Sequence, residues 1–187
     1  MPNQYPSDVN TFLGQFKGGG ARANRFRVEI VTKPGNVSIP ETFSFVCRSS
    51  HIPGQTIGTV DVPYMGLVAK LPGDRTFDDW TVTIYNDTDW LLRTAFETWV
   101  SIMMGNLSNI ALNTDLSPAG GTSVYGNAVV HQLNRQGDDI PQAQYTLNDI
   151  FPHTVSPIDL AWDANNAVET FDVTFAVNYS YNTKIIG

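Results

Sequence analysis

Adjacent carboxylates stand at Asp78-Asp79 and Asp138-Asp139, a residue type suited to acid and base work. On a strand, however, Asp78 and Asp79 point to opposite faces and do not serve one bond together, which favours solvation or contact with another subunit. Asp87-Thr88-Asp89 begins like a calcium loop but continues with Trp90 and lacks the required glycine and closing glutamate. His51, His131 and His153 show no ligand spacing, and the single cysteine, Cys47, reads as a small buried hydrophobe on the face of Phe43 and Phe45. Gly18-Gly19-Gly20 lies near arginines but precedes a strand, so no helix N-terminus is aimed at an anion there. The patterns GxxxxGK[ST], GxSxG, HExxH and CxxC do not occur. These residues form no catalytic constellation, and the expectation is a protein with no catalysis, no metal and no cofactor.

The elements that would position such residues are mostly strands. Phe26, Val28 and Ile30 alternate with Arg25, Arg27 and Glu29, the period of a half-buried strand. Phe43, Phe45 and Cys47 repeat the alternation, after a connection marked by Pro34-Gly35-Asn36 and Pro40. Residues 49–66, with Pro53, Gly54, Gly58 and Pro63, read as an extended hairpin or loop. Residues 77–85 place Trp80, Val82 and Ile84 on one face of a strand. Shorter strands are expected over 123–133, 144–150 and 158–162, and a final strand over 170–181, where six consecutive period-two matches make it the longest. One helix interrupts the series: Leu92, Ala95, Phe96, Trp99, Ile102 and Met103 recur at three- and four-residue spacing, with Asp87 or its neighbours as cap and Gly105 as stop. The fold class is therefore mainly β, a sandwich or barrel-like protomer with one flanking helix.

Composition limits the function classes. The 187 residues fit one domain, divided into an arm over 1–24 and a β domain over 25–187. Ten Phe, seven Tyr and four Trp offer too much burial for a disordered chain, and one cysteine excludes a disulfide scaffold. No stretch approaches the roughly 18 apolar residues of a membrane helix, and the first twenty residues lack the pattern of a secretory signal, so a reducing cytoplasm is expected. Only 16% of residues are charged, below the usual quarter or so, as expected of a surface that meets other proteins. Residues 1–33 hold five basic and two acidic side chains, net +3, while the rest hold six and sixteen, net −10. That split argues against gripping nucleic acid over the whole body. It also suggests that the basic segment, through Arg22, Arg25 and Arg27, contacts the acidic body of a neighbouring copy.

The run from Gly73 to Ile84, GDRTFDDWTVTI, resembles a segment of the tail tube proteins of contractile-tailed, T-even-type bacteriophages. Three further features agree in order: Arg22-Ala23-Asn24-Arg25-Phe26, the helical Phe96-Glu97-Thr98-Trp99, and Leu160 to Asn166 followed by Glu169 to Thr174. The resemblance spans roughly residues 20–180. Residues 34–40 and 113–121 depart from the family pattern. The resemblance implies a β protomer assembled as hexameric rings stacked into a hollow tube, with strands from six copies joined in an inner barrel. It also implies a contractile sheath around the tube, baseplate and terminator proteins at its ends, and DNA passing through the lumen without specific binding. Such a protein belongs to the virion tail and is assembled in the host cytoplasm, without membrane insertion. Expected subunit contacts are Arg22, Arg25 and Arg27 on the arm side, His51, Pro53 and Gly54 at a ring-to-ring hairpin, and Asp74, Arg75, Asp78 and Asp79 in the central motif. Two alternatives stay open: a secretion-system or bacteriocin-type tube, and a sandwich that stacks sugars on Trp90, Tyr125 or Tyr145.

Overall fold

The computed structural model describes Val9, Leu13, Gly14 and residues 20–35, 37–105, 123–163 and 167–185. Most of the expected arm over 1–24, the loop over 113–121 and residues 164–166 lie outside the described residues. In chain order the elements are β1 (Phe26–Thr32), α1 (Phe43–Val46), β2 (Cys47–Ser50), β3 (Gln55–Tyr64), β4 (Leu67–Phe77), β5 (Trp80–Tyr85), α2 (Leu91–Met103), β6 (Gly126–Leu133), β7 (Asp139–Val155) and β8 (Thr170–Asn182). Six strands form one antiparallel sheet in the order β1-β6-β7-β8-β5-β2, and β3 pairs with β4 as a separate hairpin. The mainly β architecture with one flanking long helix is as expected.

The core lies between one face of the sheet and α2. Period two places Val28, Trp80, Val82, Ile84, Phe171, Val173 and Phe175 on that face, and the helical stripe Leu92, Ala95, Phe96 and Trp99 closes over it. Phe175 is the hub, with Trp80 at 5.0 Å, Phe96 at 5.9 Å and Trp99 at 6.0 Å between ring centroids. The Phe96 and Trp99 contacts are edge-on and the Trp80 contact is tilted; aromatic pairs of these kinds add roughly 0.5–1.5 kcal/mol each beyond area burial. The two buried indoles also have partners, since Trp80 Nε1 donates to Ser50 Oγ at 3.0 Å and Trp99 Nε1 to the Val124 carbonyl at 2.8 Å.

Several local expectations are corrected. Phe43, Phe45 and Cys47 do not share a strand face: the amides of Phe43, Phe45 and Val46 bond back to Pro40 and Thr42, closing one helical turn. Phe43 is consequently buried against Phe96, whereas Phe45 is 87% exposed. Cys47 is buried, as expected, and opens β2. The β7 strand is longer than β8, and it continues past Ile150. Asp149 adopts φ 51 there, with its amide donating to Asn127 Oδ1 at 3.0 Å, and the register shifts again after Pro152. Bulges of this kind absorb a proline that would otherwise break a ladder. Residues 158–162 are not a strand, and the strand expected from 77 begins at Trp80. No side chain caps α2; Trp90 precedes it in the left-handed conformation, φ 55, after a turn in which its amide bonds the Asp87 carbonyl.

Candidate assembly surface

The hairpin is the feature with no counterpart in a self-sufficient domain. All ten residues of β3 are exposed, and nine of eleven in β4. Its apolar side chains include Ile57 (50% exposed), Val60 (53%), Leu67 (76%) and Leu71 (52%). The sequence builds it from β3, rich in β-branched Thr, Ile and Val, and β4, paired from Gln55 opposite Phe77 to Tyr64 opposite Leu67 and joined by the two-residue turn Met65-Gly66 with φ 47 and 84. Positive φ at both turn residues matches the twist of paired strands. Midway the register shifts at Gly58, where a Cβ on Gly73 would lie 3.2 Å from the Gly58 carbonyl oxygen. Reading residues 49–66 as a hairpin captured its first arm; the second runs on to Phe77.

At the base of the hairpin the structure gathers five of the expected contact residues. His51 Nε2 lies 3.1 Å from the Asp79 carbonyl oxygen, the Asp78 amide donates to the Gly54 carbonyl at 3.1 Å, and the Asp78 carboxylate presses on Gly54. Pro53 is buried beneath them. Asp78 and Asp79 lie between β4 and β5, so the assumption that they alternate on one strand is corrected. His153 of β7 joins them, with Nε2 3.3 Å from Asp79 Oδ2. Sequence spacing gave no signal for that partner, because β7 reaches it only by crossing Pro152. Asp74 and Arg75 are exposed further along β4, with Arg75 opposite Ile57.

The arginines occupy a different region, beside β1. Arg22 is exposed, and its carbonyl accepts from Gln132 Nε2 at 2.7 Å. Arg25 is half-buried, its carbonyl accepting from the Leu133 amide at 2.9 Å. Arg27 already has partners within its own protomer, donating from Nη2 to Asp139 Oδ2 at 2.9 Å with Glu29 Oε1 2.8 Å from its Nε. That second contact lacks hydrogen-bond alignment. Buried His131 lies between the same carboxylates, 3.7 Å from Asp139 and 4.0 Å from Glu29. Lys33 Nζ donates to the Ile39 carbonyl at 2.8 Å. Two of the five basic side chains counted in residues 1–33, Arg27 and Lys33, thus serve the fold.

Two further surfaces stand open. The sheet face turned away from α2 carries Thr81, Thr83, Thr174, Ala176 and Asn178, and β5, β7 and β8 contain no Lys or Arg. A groove of about 720 Å³ lies between Pro157 to Trp162 and Ala167 to Thr170, with Leu160 75% and Trp162 fully exposed. Neither drew attention as an assembly surface in the sequence, where 158–162 read as a strand. Burial raises the Cys47 thiol to about 11, against a weaker lowering effect of the Ser49 carbonyl contact. Among the described residues no group of three or more His, Cys, Asp or Glu is arranged to hold a metal, and no helix is long and apolar enough to cross a membrane. The residues suggested for sugar stacking are dispersed: Tyr125 packs on Phe151 at 5.9 Å, Tyr145 is half-buried on β7, and Trp90 precedes α2.

Residues 21–184 match the family model described as phage tail tube protein. The chain is 33% identical over 162 residues to tail tube protein gp19 of Enterobacteria phage T4, covering 87% of this chain and 91% of that protein. It is 34% identical to the T6 protein of the same name over the same shares, and 25% identical over 167 residues to the tail tube protein of Serratia phage KSP90, covering 87% and 90%. Among solved structures, the fold is similar to a chain of the extended sheath-tube complex of the PVC extracellular contractile injection system. That match has TM-score 0.61 and 14% identity and covers 94% of this chain and 97% of the other.

Proposed function

The chain belongs to the phage tail tube protein family, and from that premise we propose that copies of it close into hexameric rings that stack into the hollow tube of a contractile tail. The carrying observation is the hairpin formed by β3 and β4, whose apolar side chains lie in water in the single copy. An apolar patch of that extent marks a protein interface, and unpaired strand edges invite pairing with another chain. Burying Ile57, Val60, Val62, Leu67 and Leu71 between copies removes both liabilities. The sheet ends at β1 and β2 supply further open edges, so closure of a barrel between subunits is the physical counterpart of the sheet order. His51, Pro53, Gly54, Asp78 and Asp79 set the direction in which the hairpin leaves the protomer, and Asp74 and Arg75 ride on it.

In this arrangement the face opposite α2 lines the lumen. Its hydroxyl, amide and methyl groups, with Asp172 and without lysine or arginine on β5, β7 and β8, leave Arg27 of β1, already paired with Asp139, and Arg48 of β2 as the cations of the sheet strands, so DNA phosphates find little to pair with. DNA therefore passes without adhering. Sheath, baseplate and terminator proteins would meet the outer surface and the two ends, and the assembled tube forms part of the virion tail after assembly in the host cytoplasm. The test is negative-stain imaging of purified protein beside Val60→Asp and Leu71→Asp chains. Tubes are expected from the parent, and rings that no longer stack from the variants; a parent that stays monomeric at high concentration overturns the reading.

A further inference from the structure

The groove between Pro157 to Trp162 and Ala167 to Thr170 lies at one end of β7, and the chain's N-terminal segment enters the fold at the other. Residues 20–25 run beside Leu133 to Gln136, next to Asp139, where β7 begins; the groove follows Val155, where it ends. At about 3.3 Å per residue these ends are about 50 Å apart.

Residues 1–19 precede this entry point. Val9, Phe12, Leu13 and Phe16 have the i, i+3, i+4, i+7 spacing of a helix with one apolar face. Val9, Leu13 and Gly14 are helical, and the Val9 and Leu13 side chains are 68% and 59% exposed, so this face is not seated on its own protomer. Eleven residues separate Val9 from Gly20, and even fully extended they span only about 40 Å, short of the distance to their own groove. A copy stacked head to tail brings its segment to the neighbour's groove without that span, a heterologous contact that repeats along a stack.

Chemistry matches at the groove. Leu160, Ala161, Trp162, Ala167 and Val168 offer apolar surface from two sides, the form in which an amphipathic helix is received. Asp159 and Glu169 line it, and the sequence has no Lys or Arg between Arg135 and Lys184, while on the incoming segment Lys17 follows the apolar stripe and Asp8 precedes it. Arg93, the cation packed below this region, is occupied by Glu97 and the Ser156 carbonyl.

We propose that the groove at Leu160, Trp162 and Val168 receives the Val9 to Phe16 face of a second copy in the adjacent ring. This rests on the tube reading above and adds the site at which one ring holds the next. The test uses full-length chains with Cys47→Ala, one carrying Leu13→Cys and one Leu160→Cys, mixed, assembled and mildly oxidised. A covalent dimer from the mixture, and none from either chain alone, is expected. Leu13→Asp, at an exposed position that leaves the fold intact, should abolish stacking. Normal tubes without the cross-link overturn this inference alone, as does a Leu160→Cys bond to Met65→Cys on the hairpin turn in its place. A bond formed within one unassembled chain carrying both cysteines also overturns it. Absence of any tubes from the parent protein removes the tube reading and this inference together.

Discussion

A Cβ placed on Gly126 would stand 2.5 Å from both the Thr32 carbonyl oxygen and the Trp99 ring, so Gly126→Ala forces β1 and α2 apart. Overpacking of this kind costs about 1–3 kcal/mol, and calorimetry should find a melting temperature several degrees lower in the variant. Cys47 presents a different single-residue consequence. With its thiol raised to about 11 from the ordinary 9.0, its thiolate fraction at pH 8 is about 100-fold below that of an exposed cysteine. Maleimide should therefore label the native protein about 100-fold more slowly than the urea-unfolded one. The sign for stability follows: the folded state favours the protonated thiol, so this contribution is fully present below pH 9 and is lost as pH rises from 9 towards 11. The histidine contacts show what one-dimensional reading loses at this scale. His51 was legible as a member of the hairpin segment, but His153 reaches Asp79 only because β7 bulges at Asp149 and again after Pro152.

At the level of elements, α2 and the hairpin answer mutation in opposite ways. Phe96 is fully buried and touches Phe43, Phe171 and Phe175, so Phe96→Ala should cost about 3–5 kcal/mol, read as a lower urea midpoint. Val60→Asp on the exposed hairpin should move the unfolding of the single copy by less than about 0.5 kcal/mol, while removing stacking. The contrast separates residues that hold the protomer from those that join copies. The same division governs what the sequence disclosed. Period two and period three-to-four marked β5, β8 and α2 clearly because one face of each meets the protomer's own core. The hairpin alternates only beyond the register shift at Gly58, where Val60, Val62, Tyr64, Leu67, Ala69 and Leu71 share one face and Asp61 and Lys70 the other; its turn residues stood out more than its pattern, and the partners of its apolar face lie outside the chain. Phe43 to Cys47 alternated like a strand, yet local hydrogen bonds to Pro40 and Thr42 closed a turn first. The candidate surface was legible as a region, and the groove at Trp162 was hidden behind a strand pattern without a pairing partner.

For the whole molecule, a protomer that leaves much of its apolar surface in water gains stability from its neighbours. Binding between folded copies raises apparent stability by mass action, so the melting temperature should climb with protein concentration and be highest in preformed tubes; a concentration-independent value in scanning calorimetry would count against assembly. The 16% charged fraction belongs to this scale as well, because a chain with contacts around, above and below has less surface for solvated ions. The register shifts in β1, β2, β6 and β7 then acquire a metric meaning. Each bulge sharpens the bend of the sheet and so fixes the angle between the edge at β1 and the edge at β2. When copies close edge to edge, that angle divided into a full turn is their number. The bulges are thus a protractor built into the backbone, and deleting one would change the bore of the tube before it changed the stability of any single subunit.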